Sequence, residues 1–270
     1  MQLYYLGPLG TFSYLAAQQY VNDNQHQSVT LSPQDSLYEV IASLNQQEDA
    51  LAIVPIENAI EGTINVVADT IIHQNVSVIS EVTLKVALAL YGQPNQSFND
   101  MTHVASIDPA ISQAQQLIRH HQFDIINTTS TIAALSYINH HTGAIAPLGS
   151  GELYGYTPLK THIEDSPHNM TRFLVLRNNM NATVQTGREC LLVITPTYDK
   201  PGLLASILNT FYLFNINLKW IASRPLKTKL GMYRFFVQAE DIDDDVLEKI
   251  FTILETLDFE ILLLGRFDSH

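Results

Sequence analysis

The chain has 270 residues, enough to bury sizeable cores in one to three domains. Hydrophobic residues make up 46% and charged residues 15%, a globular balance, and the net charge of −13 argues against nucleic acid or an anionic membrane as partner. The single cysteine, Cys190, excludes an internal disulfide and a cysteine-based zinc site.

The first residues, Met1 to Gly7, lack the basic and apolar regions of a signal peptide. No run reaches the roughly 18 apolar residues of a membrane helix, so a soluble cytoplasmic protein is expected. Residues 3–6 read as a strand, followed by Gly7-Pro8-Leu9-Gly10, the hydroxyls of Thr11 and Ser13, and a helix over 14–21. Free N–H groups at such a helix start hold an anion or simply complete an ordinary βα turn. Residues 36–44 pattern as a helix, with Leu37, Val40, Ile41 and Leu44 on one face. Residues 50–56 read as a buried parallel strand running into Glu57-Asn58-Ala59-Ile60-Glu61-Gly62. Carboxylates and an amide at the carboxyl end of a strand sit where α/β sheets bind ligands. A capping loop before a helix over 63–72 accounts for them equally well.

Residues 76–91 are extended and cross between lobes, after which the βα pattern restarts. A strand over 102–106 leads to Asp108 as cap, Pro109 at the first helical position and a helix over 110–121. A strand over 123–126, a helix over 128–139 and a strand over 143–146 follow. The pairs His120-His121 and His140-His141 show no metal-ligand spacing, so no metal is expected. The next strand is Asn169-Met170-Thr171-Arg172-Phe173-Leu174-Val175-Leu176. Thr171 and Arg172 must point to opposite faces, so one of them meets a core or cleft. Residues 1–185 hold five of the 14 Lys and Arg, namely Lys85, Arg119, Lys160, Arg172 and Arg177. That scarcity makes Arg172 the leading candidate to neutralise an anionic ligand.

After a polar stretch over 177–189 comes a compact pattern. A strand over 190–195 precedes a helical stripe of Leu203, Leu204, Ile207, Leu208 and Phe211. Strands over 216–223 and 232–239, a second stripe from Val246 to Leu254 and a strand over 260–267 complete a β-α-β-β-α-β order, the ferredoxin-like motif. The acidic run 240–245 is predicted to start the second helix, where the dipole favours negative charge.

Taken together, these segments resemble the prephenate dehydratases with a C-terminal ACT regulatory domain, over essentially the whole chain. Gly7-Pro8-Leu9-Gly10-Thr11-Phe12-Ser13 is similar to G-P-x-G-T-F-S, and Val54 to Gly62 to V-P-I-E-N-S-x-E-G. Asn169 to Phe173 matches N-x-T-R-F. Pro201-Gly202-Leu203-Leu204 and Ala222-Ser223-Arg224-Pro225 resemble the G-A-L-V and E-S-R-P effector segments. The resemblance implies an α/β fold. A bilobal catalytic region like the type 2 periplasmic-binding proteins would span 1–178, with lobe one about 1–80 plus 161–178 and lobe two about 81–160. A linker at 179–188 and an ACT domain at 189–270 would follow.

The implied activity is conversion of prephenate to phenylpyruvate in phenylalanine biosynthesis, with no cofactor. Such chemistry asks for a donor to the departing hydroxyl, groups that fix the carboxylates, and poor solvation of the carboxylate that leaves. By resemblance, Thr171 serves the hydroxyl, Glu57 is the nearest acid, and Arg172 fits a carboxylate bidentately. Thr11, Ser13, Asn58 and Ala59 join the substrate-binding set, and Phe173 walls the pocket or fills the core of its strand. Phenylalanine or another amino acid is assigned as effector to Gly202, Leu203, Leu204, Ala222, Ser223, Arg224 and Pro225, between subunits of a homodimer or tetramer.

Three departures qualify the match. Ala59 replaces a Ser and removes one hydroxyl contact, and Ser106-Ile107-Asp108-Pro109 differs from S-H-P-Q. Ala222 replaces the Glu of the effector segment, which predicts weak feedback. The resemblance starts at the first strand, so fusion to a chorismate mutase is not expected. Two rival readings share the fold: a binding module that captures a small anion, and a degenerate enzyme that senses amino acids.

Overall fold

The computed structural model describes residues 1–24, 28–47, 49–179, 187–226 and 231–268. The first elements are β1 (Gln2–Leu6), α1 (Phe12–Asp23), β2 (Thr30–Gln34), α2 (Leu37–Ala42), β3 (Leu51–Asn58), β4 (Gly62–Thr63), α3 (Asn65–Ile71) and β5 (Val76–Lys85). Next come β6 (Leu88–Gly92), β7 (His103–Ser106), α4 (Asp108–Ser112), α5 (Gln115–His121), β8 (Asp124–Asn127), β9 (Thr142–Pro147), β10 (Thr157–Thr161) and β11 (Met170–Asn178). The last are β12 (Glu189–Pro196), α6 (Leu203–Leu213), β13 (Leu218–Pro225), β14 (Tyr233–Ala239), α7 (Asp244–Thr256) and β15 (Phe259–Phe267).

These strands make three sheets. The first runs β2-β1-β3-β11-β5, with β4 paired to β3, and the second runs β10-β6-β9-β7-β8. The third, β13-β14-β12-β15, is the ferredoxin-like arrangement. The fold is therefore a bilobal α/β region joined to a β-α-β-β-α-β unit. The continuous apolar run of β3 fits its place inside a sheet covered on both faces. It pairs parallel with β1 and antiparallel with the returning β11. The chain crosses between the first two sheets twice, from β5 to β6 and from β10 to β11.

On one face of the first sheet, Tyr14, Ala17 and Tyr20 of α1 pack against Tyr5, Ile53 and Phe173. On the other, Leu174, Leu176 and Val78 share a core with Leu191, Val193, Phe236 and Leu264 of the third sheet. The approach is close enough that a Cβ at Gly265 would lie 2.0 Å from the Val78 carbonyl oxygen, so only glycine fits there. Helices α6 and α7 cover the far face of the third sheet through Ile207, Phe211, Leu247 and Ile250.

Several boundaries differ from the sequence expectation. The first sheet keeps the chain to Lys85 instead of residue 80, because β5 pairs with β11 along its whole length. The helix over 110–121 breaks at Ala114, and the Asp165 carboxylate accepts from the Gln115 and Gln116 N–H groups at 2.8 and 3.0 Å to start α5. The helix expected over 128–139 is reduced to a 3-10 turn at Ala133–Tyr137. Its first residues, Thr128 to Thr131, are poor helix formers whose hydroxyls bond locally, as Ser130 Oγ does from Ala133 N at 2.9 Å. Most of the 179–188 linker lies outside the described residues. The acidic run does start α7, where Asp243 accepts from Val246 N at 2.8 Å.

Candidate active site

A cavity of about 460 Å³ opens between the first and second sheets. Two features of the first sheet shape it. Helix α1 points its N-terminus at the cavity, capped by Thr11, whose hydroxyl accepts from Tyr14 N at 3.3 Å and donates to the Leu6 carbonyl at 2.8 Å. Strand β11 presents Thr171 and Phe173, two residues apart and so on one face. Phe173 combines both expected roles, lining the cavity and packing in the core beneath α1.

A chain of amides holds Thr171. Asn58 Nδ2 donates to Thr171 Oγ1 at 2.9 Å and to Asn169 Oδ1 at 2.9 Å, while Asn58 Oδ1 accepts from the Ile60 and Glu61 N–H groups at 2.9 and 3.0 Å. Asn169 Nδ2 in turn donates to Gln113 Oε1 at 2.7 Å. The amide of Asn58 is thereby spent on protein partners, so it orients Thr171 instead of offering a free donor. With its oxygen accepting from Asn58, the Thr171 hydroxyl keeps its hydrogen for the cavity. Gln113 likewise keeps its Nε2 donors, and Ser13 its hydroxyl, since neither has a partner for those atoms among the described residues.

The structure brings Thr11, Ser13, Asn58, Thr171 and Phe173 together on the wall. It does not bring Glu57, Ala59 or Arg172. Alternation turns Arg172 to the face opposite Thr171, and the register is reset there: Arg172 opposes Glu57, but Phe173 opposes Pro55. A bulge of this kind re-aims side chains, and Pro55 has no N–H to lose in the ladder. Arg172 is only 8% exposed, and its Nη2 lies 3.4 Å from Glu57 Oε2. Ala59 is exposed and bonds through its backbone to the Met170 carbonyl.

One wall residue escapes a reading of the sequence, and a second is legible only as part of the carboxylate-bearing loop after β3. Gln113 sits at the break between α4 and α5, among the buried Ile111 and Ala114; a polar residue in an apolar helical setting is its only signal. Glu61 is the one carboxylate among the described lining residues, and none of them is Lys, Arg or His.

The segments expected to bind an effector lie in the third unit. Gly202 takes the left-handed conformation, φ 88°, at the start of α6, with Leu203 half-buried and Leu204 exposed after it. Ala222, Ser223, Arg224 and Pro225 end the edge strand β13, and Arg224 grips Asp69 of α3 bidentately at 2.9 and 3.0 Å. No helix among the described residues is long and apolar enough to cross a membrane, and no cluster among them could hold a metal ion.

Comparison with known proteins bears on this site. Residues 3–181 match the family model described as prephenate dehydratase. The prephenate dehydratase of Bacillus subtilis (strain 168) is 31% identical over 290 aligned residues, which cover 100% of this chain and 99% of the relative. The solved prephenate dehydratase of Staphylococcus aureus subsp. aureus Mu50 is 54% identical with a TM-score of 0.90, covering 99% of this chain and 100% of that one. The solved enzyme of Arthrobacter aurescens, in complex with L-Phe, is 27% identical with a TM-score of 0.86, covering 99% and 90%.

Proposed function

The chain belongs to the prephenate dehydratase family, and we propose from that premise that its reaction runs in the cavity between the first two sheets, with Thr171 at the departing hydroxyl. As a hydro-lyase of this family it takes prephenate to phenylpyruvate. The carboxylate on the ring leaves as carbon dioxide, its bonding electrons enter the ring, and the 4-hydroxyl leaves with a proton as water. The observation that carries the placement is the Thr171 hydroxyl, held by Asn58 at 2.9 Å with its hydrogen free.

The substrate is a dianion, yet no cation lines the cavity among the described residues. Neutral donors hold it instead, through the N–H groups and dipole at the start of α1, the Ser13 hydroxyl and the Gln113 amide. Such donors orient a carboxylate without neutralising it. A carboxylate left without a counter-charge beside Leu6, Ile64 and Phe173 gains most by departing as neutral carbon dioxide. Hydrogen bonding from Thr171 assists the hydroxyl, a poor leaving group otherwise. With Glu57 turned away, Glu61 becomes the candidate proton source; unchanged turnover in Glu61→Gln would pass that role to solvent.

The same reading extends to the organisation of the chain. Residues 1–178 form the catalytic region, 179–188 the linker and 189–270 the ACT domain, which binds phenylalanine through Gly202, Leu203, Leu204 and the Ala222 to Pro225 segment. The L-Phe complex of the Arthrobacter aurescens relative supports this assignment. Exposed Leu204, Leu208, Tyr212 and Leu213 on α6 support pairing with a second copy, in a dimer or tetramer.

Incubation with prephenate should produce phenylpyruvate, followed by its absorbance. Binding of prephenate without turnover would favour the anion-binding module. Phenylalanine should raise the melting temperature, and indifference to every amino acid would remove the regulatory assignment.

A further inference from the structure

Arg172 turns its back on the cavity that Thr171 lines, and what it meets is the third sheet. Its Nη1 donates to Gln238 Oε1 of β14 and lies 3.5 Å from Glu81 Oε2 of β5. The guanidinium stacks 4.8 Å from the Trp220 ring of β13. Gln238 is fully buried and works in both directions. Its oxygen accepts from Arg172, and its Nε2 donates to Glu81 Oε2 at 2.9 Å and to Glu189 Oε2 at 2.5 Å. Lys219 of β13 closes the cluster, 2.5 Å from Glu81 Oε1 and 3.2 Å from Glu189. Burial pulls the Lys219 ammonium down, but the Glu81 and Glu189 carboxylates outweigh it and hold the group above its ordinary range. The Lys219 ammonium therefore keeps its charge further into the alkaline range than an isolated lysine would.

Two cations and two buried carboxylates, with Gln238 between them, thus bolt five strands together: β5 and β11 of the first sheet and β12, β13 and β14 of the third. Arg172 sits on β11, Glu81 on its neighbour β5, and Gln238 and Lys219 on the C-terminal sheet. Glu57, on the other neighbour β3, lies within ion-pair distance but is not aligned as a hydrogen bond to Arg172. The next residue back along β11 is Thr171. Arg172 Nε and Nη2 make no hydrogen bond among the described residues, so Gln238 and Glu81, both on Nη1, are the acceptors that hold the guanidinium.

We propose that Arg172 is a positioning residue: anchored by Gln238 and by Glu81, which Lys219 pairs from the other side, it holds β11 so that Thr171 faces the departing hydroxyl, and through it the C-terminal sheet sets turnover. This rests on the reading of Thr171 as the residue at that hydroxyl. The strand that carries Lys219 and Trp220 runs on to Arg224, whose pair with Asp69 ties the same strand to α3. A shift of β13 would therefore act on the catalytic region at two points, one of them beside Thr171.

The test compares full-length Gln238→Met, Lys219→Met and Arg172→Lys with the parent protein, measuring kcat and KM for prephenate and thermal denaturation. Positioning predicts that Gln238→Met lowers kcat about ten-fold with KM held within about two-fold. Lys219→Met should show a smaller loss of the same kind, and Arg172→Lys, which keeps the charge but loses the fork, a loss in kcat without a rise in KM. If Gln238→Met fails to fold, Lys219→Met decides, since its side chain is partly exposed. Unchanged kcat in the folded interface variants overturns the proposal. So does a raised KM at constant kcat in Arg172→Lys, the signature of a guanidinium that binds substrate. Thr171→Ala separates the two layers: near-parent turnover sinks the reading of Thr171, whereas lost turnover there with intact interface variants sinks only the positioning role.

Discussion

The two faces of β11 are built from opposite materials. Toward the cavity stand hydroxyls and amides: Thr171, Asn58, Ser13 and Gln113, with no cation among the described lining residues. Toward the third sheet stand Arg172, Glu81, Lys219 and Glu189, almost all deeply buried. A site that expels a carboxylate loses by pairing it with a cation, because that pairing stabilises the ground state it must leave. A domain interface has no such conflict, and it tolerates desolvated charge where every charge finds a partner. Scarcity of cations in the first 185 residues singles out Arg172 as the group to neutralise an anionic ligand, whereas the structure leaves it off the cavity wall. Scarcity does not say on which face a cation lies.

The contrast breaks most severely at Thr171. Thr171→Ala should lower kcat by about 10²–10⁴-fold while leaving the melting temperature near the parent value. Parent-like turnover would leave the neutral wall without its central group. Glu81→Ala should do the reverse on the other face, costing stability first. It strips a carboxylate from the buried Arg172 and from Lys219, and about 3 kcal/mol should be lost in urea unfolding. A loss below about 1 kcal/mol would mean that water reaches the cluster and that it is no bolt. A subtler variant imports charge into the cavity: Thr129→Lys, at an exposed position on the wall. If the cation-free wall matters, KM for prephenate should fall and kcat should fall with it, by several-fold each, since a ground-state contact slows departure. A rise in kcat would contradict the argument that the carboxylate leaves because it is left unpaired.

Much of this arrangement is legible in the sequence, and the illegible parts share a cause. The β-α-β-β-α-β order of the last third follows from hydrophobic periods of two and of 3.6 in unbroken succession. Thr171 and Asn58 are legible as polar residues at the ends of apolar strands. The direction of Arg172 is not. Alternation says only that it opposes Thr171, and which face meets the cavity depends on where β11 inserts, antiparallel between β3 and β5. Gln113 is hidden by a helical pattern that reads as continuous, whose break is imposed by Asp165 from a loop about 50 residues later. The role of Asn58 is hidden for a similar reason. A neutral amide looks like a substrate donor until Asn169 and Thr171 are seen to take its hydrogens.

The smallest expected effect concerns Arg224, which the effector segment claims and Asp69 already holds. Its side chain and that of Asp69 are 17% and 22% exposed, and the contact is bidentate. A pair of this kind is partly screened, so a double-mutant cycle on Arg224→Ala and Asp69→Ala should give a coupling near ~1 kcal/mol. The cycle also sorts the two duties of Arg224. If the guanidinium contacts the effector, Arg224→Ala should abolish the phenylalanine thermal shift while Asp69→Ala frees the same group and preserves or strengthens it. If Arg224 is only a tether between β13 and α3, both variants should alter the shift alike. In that case the chain would hold its third sheet by charge at both ends of β13, and the effector would act on that sheet without touching the arginine.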